Sequence, residues 1–464
     1  MIKLKQKYIT FFFLGTISIM LLLSFLTLQM HFIPKYGFND KEITINVAQT
    51  NIKSLDISIN STEVNASFLG EYSNDWSGYS VAGAGDVNGD GFDDFLIGST
   101  YNDDGGNKAG KVYLFFGKGS GWKMAINCSQ ANASFIGEFS EDQAGRTLSG
   151  VGDVNGDDLD DFLIGSKLND DGGDKAGKAY LFFGKNSGWE TDMNCSEANA
   201  SFIGEFSGDY CGSSVASAGD VNNDAYDDCV IGEEINSEGG CSAAQTYLFF
   251  GKNSGWETDM NCSEANASFI GEYSGDYSAR SLTGAGDVNG DDYDDFLIGA
   301  DDNEEGGSQA GQTYLFLGGE SVWSMDTNLS EADASFIGDS SENSGSSLSS
   351  AGDLNNDGYD DFLIGADNNE EGGSNAGKVY LFFGKESDWS MDTNISEAEA
   401  SFIGQESYEN LGVSVAGVDD INSDGYDDIL IGGSGDEEEF VFGKAYLFFG
   451  RTLGWNKNHN CSNA

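Results

Sequence analysis

Short runs of consecutive apolar residues recur along the chain, separated by stretches of Gly, Asn, Asp and Ser; Val112-Tyr-Leu-Phe-Phe116 and Tyr446-Leu-Phe-Phe-Gly450 are examples. A strand turns alternate side chains to opposite faces, so a run that is apolar at every position needs cover on both. The string Ala-Ser-Phe begins at Ala66, Ala133, Ala200, Ala267, Ala334 and Ala400, at spacings of 67, 67, 67, 67 and 66 residues. A fixed period of this kind marks a repeat architecture. In the fourth copy, Ala267-Ser-Phe-Ile-Gly-Glu272, Ser281-Leu-Thr-Gly-Ala-Gly286, Tyr293-Asp-Asp-Phe-Leu-Ile-Gly299 and Thr313-Tyr-Leu-Phe-Leu-Gly318 read as four short strands bounded by turn residues.

Stacked four-stranded sheets arranged around an axis cover both faces of such strands. The pattern therefore predicts an all-β fold, a β-propeller of six four-stranded blades over residues 65–464. Ala66-Ser-Phe-Leu-Gly70 is expected to complete the sheet of the sixth copy and close the ring. A seventh blade would need a degenerate unit, for which residues 34–64 are too few to make a full copy. Trp122, Trp189, Trp256, Trp323, Trp389 and Trp455 occur once per copy and read as packing between blades.

Between the first and second core strands of every copy lies a nine-residue acidic loop. In the first copy it is Asp86-Val-Asn88-Gly-Asp90-Gly-Phe92-Asp93-Asp94. Positions one, five, eight and nine are Asp in all six copies, and position three is always Asn. Alternate spacing in a tight loop turns side chains one, three and five toward one centre; position seven can add its backbone carbonyl and position nine a carboxylate. Such a set of hard oxygens suits Ca²⁺, which takes about six to eight of them. Without an ion, three carboxylates held close together repel one another. The candidate ligands are Asp86, Asn88, Asp90, Phe92 and Asp94; Asp153, Asn155, Asp157, Leu159 and Asp161; Asp220, Asn222, Asp224, Tyr226 and Asp228; Asp287, Asn289, Asp291, Tyr293 and Asp295; Asp353, Asn355, Asp357, Tyr359 and Asp361; and Asp420, Asn422, Asp424, Tyr426 and Asp428. The bidentate Glu that ends an EF-hand loop at position twelve is absent. Position six is Gly91, Gly358 or Gly425 in three copies but Asp158, Ala225 and Asp292 in the others. If that position needs positive φ, Ala225 fits it worst.

Composition agrees with many short strands and tight turns: 65 Gly, one Pro and 12% aromatic residues. The formal charge of -56, from 78 acidic and 22 basic residues, argues against nucleic-acid binding and favours cationic partners. Lys3, Lys5 and Lys7 precede a mainly apolar run, residues 8–33, which is long enough to cross a bilayer and lacks a small-residue cleavage site. We read it as a membrane anchor, with residues 1–7 inside, 34–64 as a linker and the propeller outside the cell; a secreted protein is the alternative. Cys128, Cys195, Cys262 and Cys461 share one repeat position with Leu329 and Ile395, the mark of a buried hydrophobe. Cys211, Cys229 and Cys241 fall within one repeat and could pair two at a time. Asn-x-Ser strings at Asn127, Asn194, Asn261, Asn328 and Asn394, and at Asn132, Asn199 and Asn266, are candidate glycosylation sites that strand repetition alone would also produce.

The acidic loop, followed by Phe-Asp-Asp-Phe-Leu-Ile-Gly and then Ala-Gly-Lys-Val-Tyr-Leu-Phe-Phe-Gly, resembles the FG-GAP repeat of the integrin α-subunit propeller, and the resemblance covers residues 65–464. It implies calcium in the hairpin loops, about six ions, and a ligand or partner subunit on the opposite face. On that face the alternation of strands places Tyr101-Asn-Asp-Asp-Gly-Gly106, Asp301-Asp-Asn-Glu-Glu-Gly306 and Asp436-Glu-Glu-Glu439, with Tyr72, Trp76, Tyr79, Phe139, Tyr210, Tyr273, Tyr277 and Tyr408. Acids interleaved with aromatics suit a glycan or a basic protein surface. The expectation is a non-enzymatic binding or adhesion module. An extracellular polysaccharide hydrolase or lyase is the alternative, disfavoured because the two histidines, His31 and His459, lie outside the repeat core. A structural surface-coat role is the third reading.

Overall fold

The computed structural model describes residues 66–320, 323–435 and 443–461. The proposed membrane segment and linker lie outside the described residues, as does the acidic run Asp436–Glu439. Among the described residues no helix is long and apolar enough to cross a membrane.

Six sheets follow one another as the repeat predicts. In the second blade, strands Thr147–Gly152, Asp161–Ser166, Lys178–Phe182 and Ala200–Ile203 pair antiparallel in chain order. The register sets Leu148 opposite Ile164, Leu163 opposite Leu181 and Tyr180 opposite Ser201. Each Ala-Ser-Phe string is therefore the outer strand of the blade opened by the preceding copy. A two-residue strand, Met260–Asn261, adds in parallel to Phe202–Ile203 before the chain enters the next outer strand, so successive blades interlock. Asn261 then caps the 3₁₀ turn Cys262–Glu264 by accepting from the Ser263 N–H at 3.0 Å. The same cap recurs at Asn127, Asn194, Asn328 and Asn394, which accounts for that set of Asn-x-Ser strings structurally.

The core sits between sheets. Phe162 and Ile164 pack toward blade one with Leu96, Val112 and Phe135, whereas Leu163 and Leu181 pack toward blade three with Ile231 and Phe249. This is the two-sided cover that the unbroken apolar runs require, and each buried Phe or Leu contributes about 1.5–3 kcal/mol. Trp189 lies 6.3 Å from Phe135 of blade one and 6.2 Å from Phe162 of blade two, the packing role read from its period.

The end blades differ from the rest. Phe68–Leu69 pairs in parallel with Ile126–Asn127, as an outer strand should. Yet among the described residues the sixth sheet holds three strands, Leu411–Gly417, Ile429–Gly433 and Lys444–Phe448, with no hydrogen-bonded fourth. Val81 of the first strand is 70% exposed and Leu69 51%, where equivalent middle-blade positions are buried or half-buried. The interlock joins nearby repeats, while joining the first outer strand to the last sheet closes the longest loop in the chain, the contact with the largest closure entropy.

Candidate functional site

Each acidic loop is built on the hairpin between the first and second strands. In the first copy, both oxygens of Asp86 accept from the loop's own backbone, from the N–H of Asp90 at 3.0 Å and of Gly91 at 2.7 Å, and Asp90 accepts from Phe92 N–H at 3.1 Å. The same bonds close the other five loops. Position six has positive φ in every copy, from 66° at Asp158 to 93° at Gly358, with 70° at Ala225. The left-handed requirement is real, and Ala225 carries its strain.

Position nine is the buried member. Asp161, Asp228, Asp295, Asp361 and Asp428 are fully buried and Asp94 nearly so. Asp161 Oδ1 accepts from Gly184 N–H at 2.8 Å, and its Oδ2 from the Asn155 amide at 3.0 Å. No basic side chain pairs with these six carboxylates among the described residues. Burial, reinforced by the loop's other carboxylates, pushes Asp161, Asp228, Asp295 and Asp361 up to about 8 and Asp94 up to about 6.

The loop acids do not converge as tightly as the spacing predicts. Among the described residues no three carboxylates of one loop lie within 4.8 Å of one another. Asn88 turns its amide N–H, rather than its carbonyl, to Asp94 at 2.8 Å. Internal hydrogen bonds thus occupy the oxygens a cation would take. The donor set itself, carboxylates with one amide and one buried uncompensated Asp, fits a hard divalent ion.

Position eight has a separate role. Asp160 Oδ2 accepts from the backbone N–H of Asp86 in the preceding blade at 2.7 Å, and Asp227, Asp294, Asp360 and Asp427 repeat the contact. Gly85, at φ 68°, lets this carboxylate approach; a Cβ there would meet Asp160 Oδ2 at 2.1 Å. These acids join blades, so they are not ligand candidates.

The opposite face carries a feature that the sequence reading missed. Lys111, Lys178 and Lys378, each opening the third strand of a blade, are buried among acids. Lys178 Nζ lies 2.7 Å from Asp171, 2.7 Å from Asp259 and 3.4 Å from Glu138. Lys111 does the same with Asp104, Asp192 and Glu71. The periodic Lys or Gln at this position (Gln245 and Gln312 in the third and fourth copies) was the available signal. The rim above is aromatic, as the alternation predicted: Tyr72, Phe139, Phe206 and Tyr273 occupy one repeat position and are each more than half exposed. Trp76 stacks on Tyr101 at 4.3 Å beside Tyr79. Tyr210, Tyr277 and Tyr408 are less exposed, and Phe206 joins the set.

A six-bladed all-β propeller with one acidic hairpin loop per blade is the class these features define. The family model for the FG-GAP repeat matches residues 77–115, 279–316 and 344–382. Each match spans the inner three strands and the acidic loop of one blade. The chain is similar to integrin alpha pat-2 of Caenorhabditis briggsae (28% identical over 243 residues, 50% of this chain and 18% of that protein). It is similar to integrin alpha-PS2 of Drosophila melanogaster (31% over 186 residues, 37% and 12%) and to integrin alpha-5 of Xenopus laevis (29% over 245 residues, 50% and 21%). The matched region spans about a fifth or less of the length of these relatives. The chain therefore carries FG-GAP repeats and resembles the propeller of integrin α subunits.

Proposed function

We propose that this chain is a calcium-loaded extracellular propeller that acts as a surface binding or adhesion module, with no catalytic role. The observation that carries the reading is the sixfold recurrence of a buried, uncompensated Asp at position nine beneath two further loop carboxylates. An ion held by positions one, three, five, seven and nine would neutralise a charge that the fold otherwise leaves unpaired. Similarity to integrin α subunits supports the adhesion role and an extracellular protein partner. The exposed aromatic rim, bordered by acidic second loops, supplies contact area on the face away from the calcium loops; a glycan ligand fits the same surface.

Calorimetric titration of the purified protein with Ca²⁺ tests the first half of the proposal. Saturable binding at several sites per chain is expected, and a flat titration of chelator-treated protein would remove the proposal's basis. A protein and glycan array tests the second half: binding without product is expected, whereas release of reducing ends from a polysaccharide would assign the chain to enzymes instead.

A further inference from the structure

The third blade departs from its siblings at a point remote in role from the calcium loops. Cys211 and Glu233 stand directly opposite each other in the pairing of the blade's first two strands. The positions equivalent to Cys211 hold Ser77, Ala144, Ser278, Ser344 and Leu411, and those equivalent to Glu233 hold Ser99, Ser166, Ala300, Ala366 and Gly433. Only here does the repeat put a thiol and a carboxylate in this place. Cys262, from the 3₁₀ turn that follows the third strand, completes the group. One ligand atom from each residue lies within 4.8 Å of the other two, the sulfurs are 3.3 Å apart, and all three side chains are fully buried.

A second observation points into the same space. Glu233 Oε1 is buried with no hydrogen-bond partner. Its other oxygen is held by Asn236 Nδ2 at 2.8 Å and the Tyr247 hydroxyl at 3.1 Å. That pair fixes the carboxylate as outer-shell groups fix metal ligands. The lysine that neutralises the acids of blades one, two and five is Gln245 here, and Glu233 forms no ion pair among the described residues. A buried carboxylate with one idle oxygen beside two thiols lacks a cation. A Cys211–Cys262 disulfide would not satisfy that oxygen, whereas a thiophilic divalent ion satisfies all three groups together.

We propose that the third blade holds a structural zinc site, with the thiolates of Cys211 and Cys262 and the Glu233 carboxylate as its protein ligands. Two sulfurs on a tetrahedral zinc sit ~3.8 Å apart, which small side-chain adjustments reach from the observed spacing. Binding releases the two thiol protons. One coordination position is left for a non-protein ligand. The site is independent of the calcium loops, so failure of calcium binding would leave it standing.

The test is metal analysis of the full-length chain, purified under reducing conditions and dialysed in calcium without zinc, before and after incubation with zinc alone. About one zinc per chain is expected, together with thiolate-to-metal charge-transfer absorption when cobalt is substituted. The sibling blades supply the variants, each a residue the repeat already accommodates: Cys211→Ala, Glu233→Ser and Cys262→Leu. Each should abolish stoichiometric zinc and the cobalt band while the protein still folds. Tyr247→Phe should weaken zinc retention about tenfold. Zinc content equal in wild type and in the triple variant would overturn the proposal, as would, in protein purified without reductant, an intact mass lower by two hydrogens with a Cys211–Cys262 cross-linked peptide.

Discussion

In the second blade, one five-residue strand, Lys178–Phe182, runs between two clusters of carboxylates that the protein treats in opposite ways. At its start, Asp171, Asp259 and Glu138 surround Lys178. The hydrogen bond from that ammonium holds Asp259 below the usual carboxylate range, and Lys111 does the same for Asp192. Just past the strand's end, Gly184 donates to Asp161, which has only neutral donors and sits well above the usual range because burial outweighs them. Both clusters are acidic and each has one buried carboxylate, Glu138 in one and Asp161 in the other; the difference is a built-in cation. One end of the blade is complete as an ion-pair cluster, and the other is a set of charges without a counter-ion.

The largest expected break in this comparison is chelation. If the loops hold Ca²⁺, each site kept at a hundred times its dissociation constant adds about 2.7 kcal/mol to the folded state. Stripping divalent ions should therefore lower the melting temperature by more than any single substitution considered below. An unchanged melt would show that the loop end needs no ion.

Next in size is the removal of the built-in cation. Lys178→Met leaves the buried Glu138 and the more exposed Asp171 and Asp259 without their partner and should cost about 1–3 kcal/mol in denaturant unfolding. Lys178→Gln, which copies Gln245 of the third blade, should cost clearly less. Equal, negligible losses for both variants would mean that the ammonium does not hold that cluster.

A pH series sharpens the contrast. A carboxyl raised above its unfolded value, near 3.9 for Asp, contributes stability in full below that value and loses it as pH rises through the folded value. For Asp161, Asp228, Asp295 and Asp361 that folded value is about 8. The ion-free protein should therefore lose stability steadily between about pH 4 and about pH 8. Saturating Ca²⁺ should abolish that fall, because the ion favours the ionised loops. Parallel melting curves with and without the ion across this range would contradict the assignment.

The smallest effect is local. Ala225 holds φ 70° in a loop where three sibling copies use Gly. Ala225→Gly relieves the left-handed strain but adds unfolded-state entropy, so a net gain of roughly 0.5 kcal/mol is expected. The gain should be accompanied by tighter ion binding at the third loop.

Much of this was legible in the chain because it repeats. Six copies of Ala-Ser-Phe, a Trp recurring at one position of each copy and runs such as Phe162-Leu-Ile164 specified the strands, their number and the stacking between sheets, since period and two-sided hydrophobicity are local properties. The acidic loops and the positive φ at position six were visible for the same reason. The register offset, by which each Ala-Ser-Phe strand finishes the preceding blade, was legible only at the chain's ends.

What residues do across the boundary between copies was not legible. Asp160 looks like its neighbour Asp161 in sequence, yet one bonds the preceding blade and the other is buried under its own loop. Lys178 meets Asp259 of the next copy across 81 residues, and Cys211 meets Cys262, at the far end of the same copy, rather than Cys229 or Cys241. The sequence by itself determined the repeated unit, its strand pattern and the candidate loop chemistry, because each depends on residues close together in the chain. Only the tertiary structure decided which charges share a lysine, which acids are left without one, and where two thiols face a carboxylate. Those outcomes depend on contacts between residues far apart in the chain, and a residue's period does not say which partner it meets.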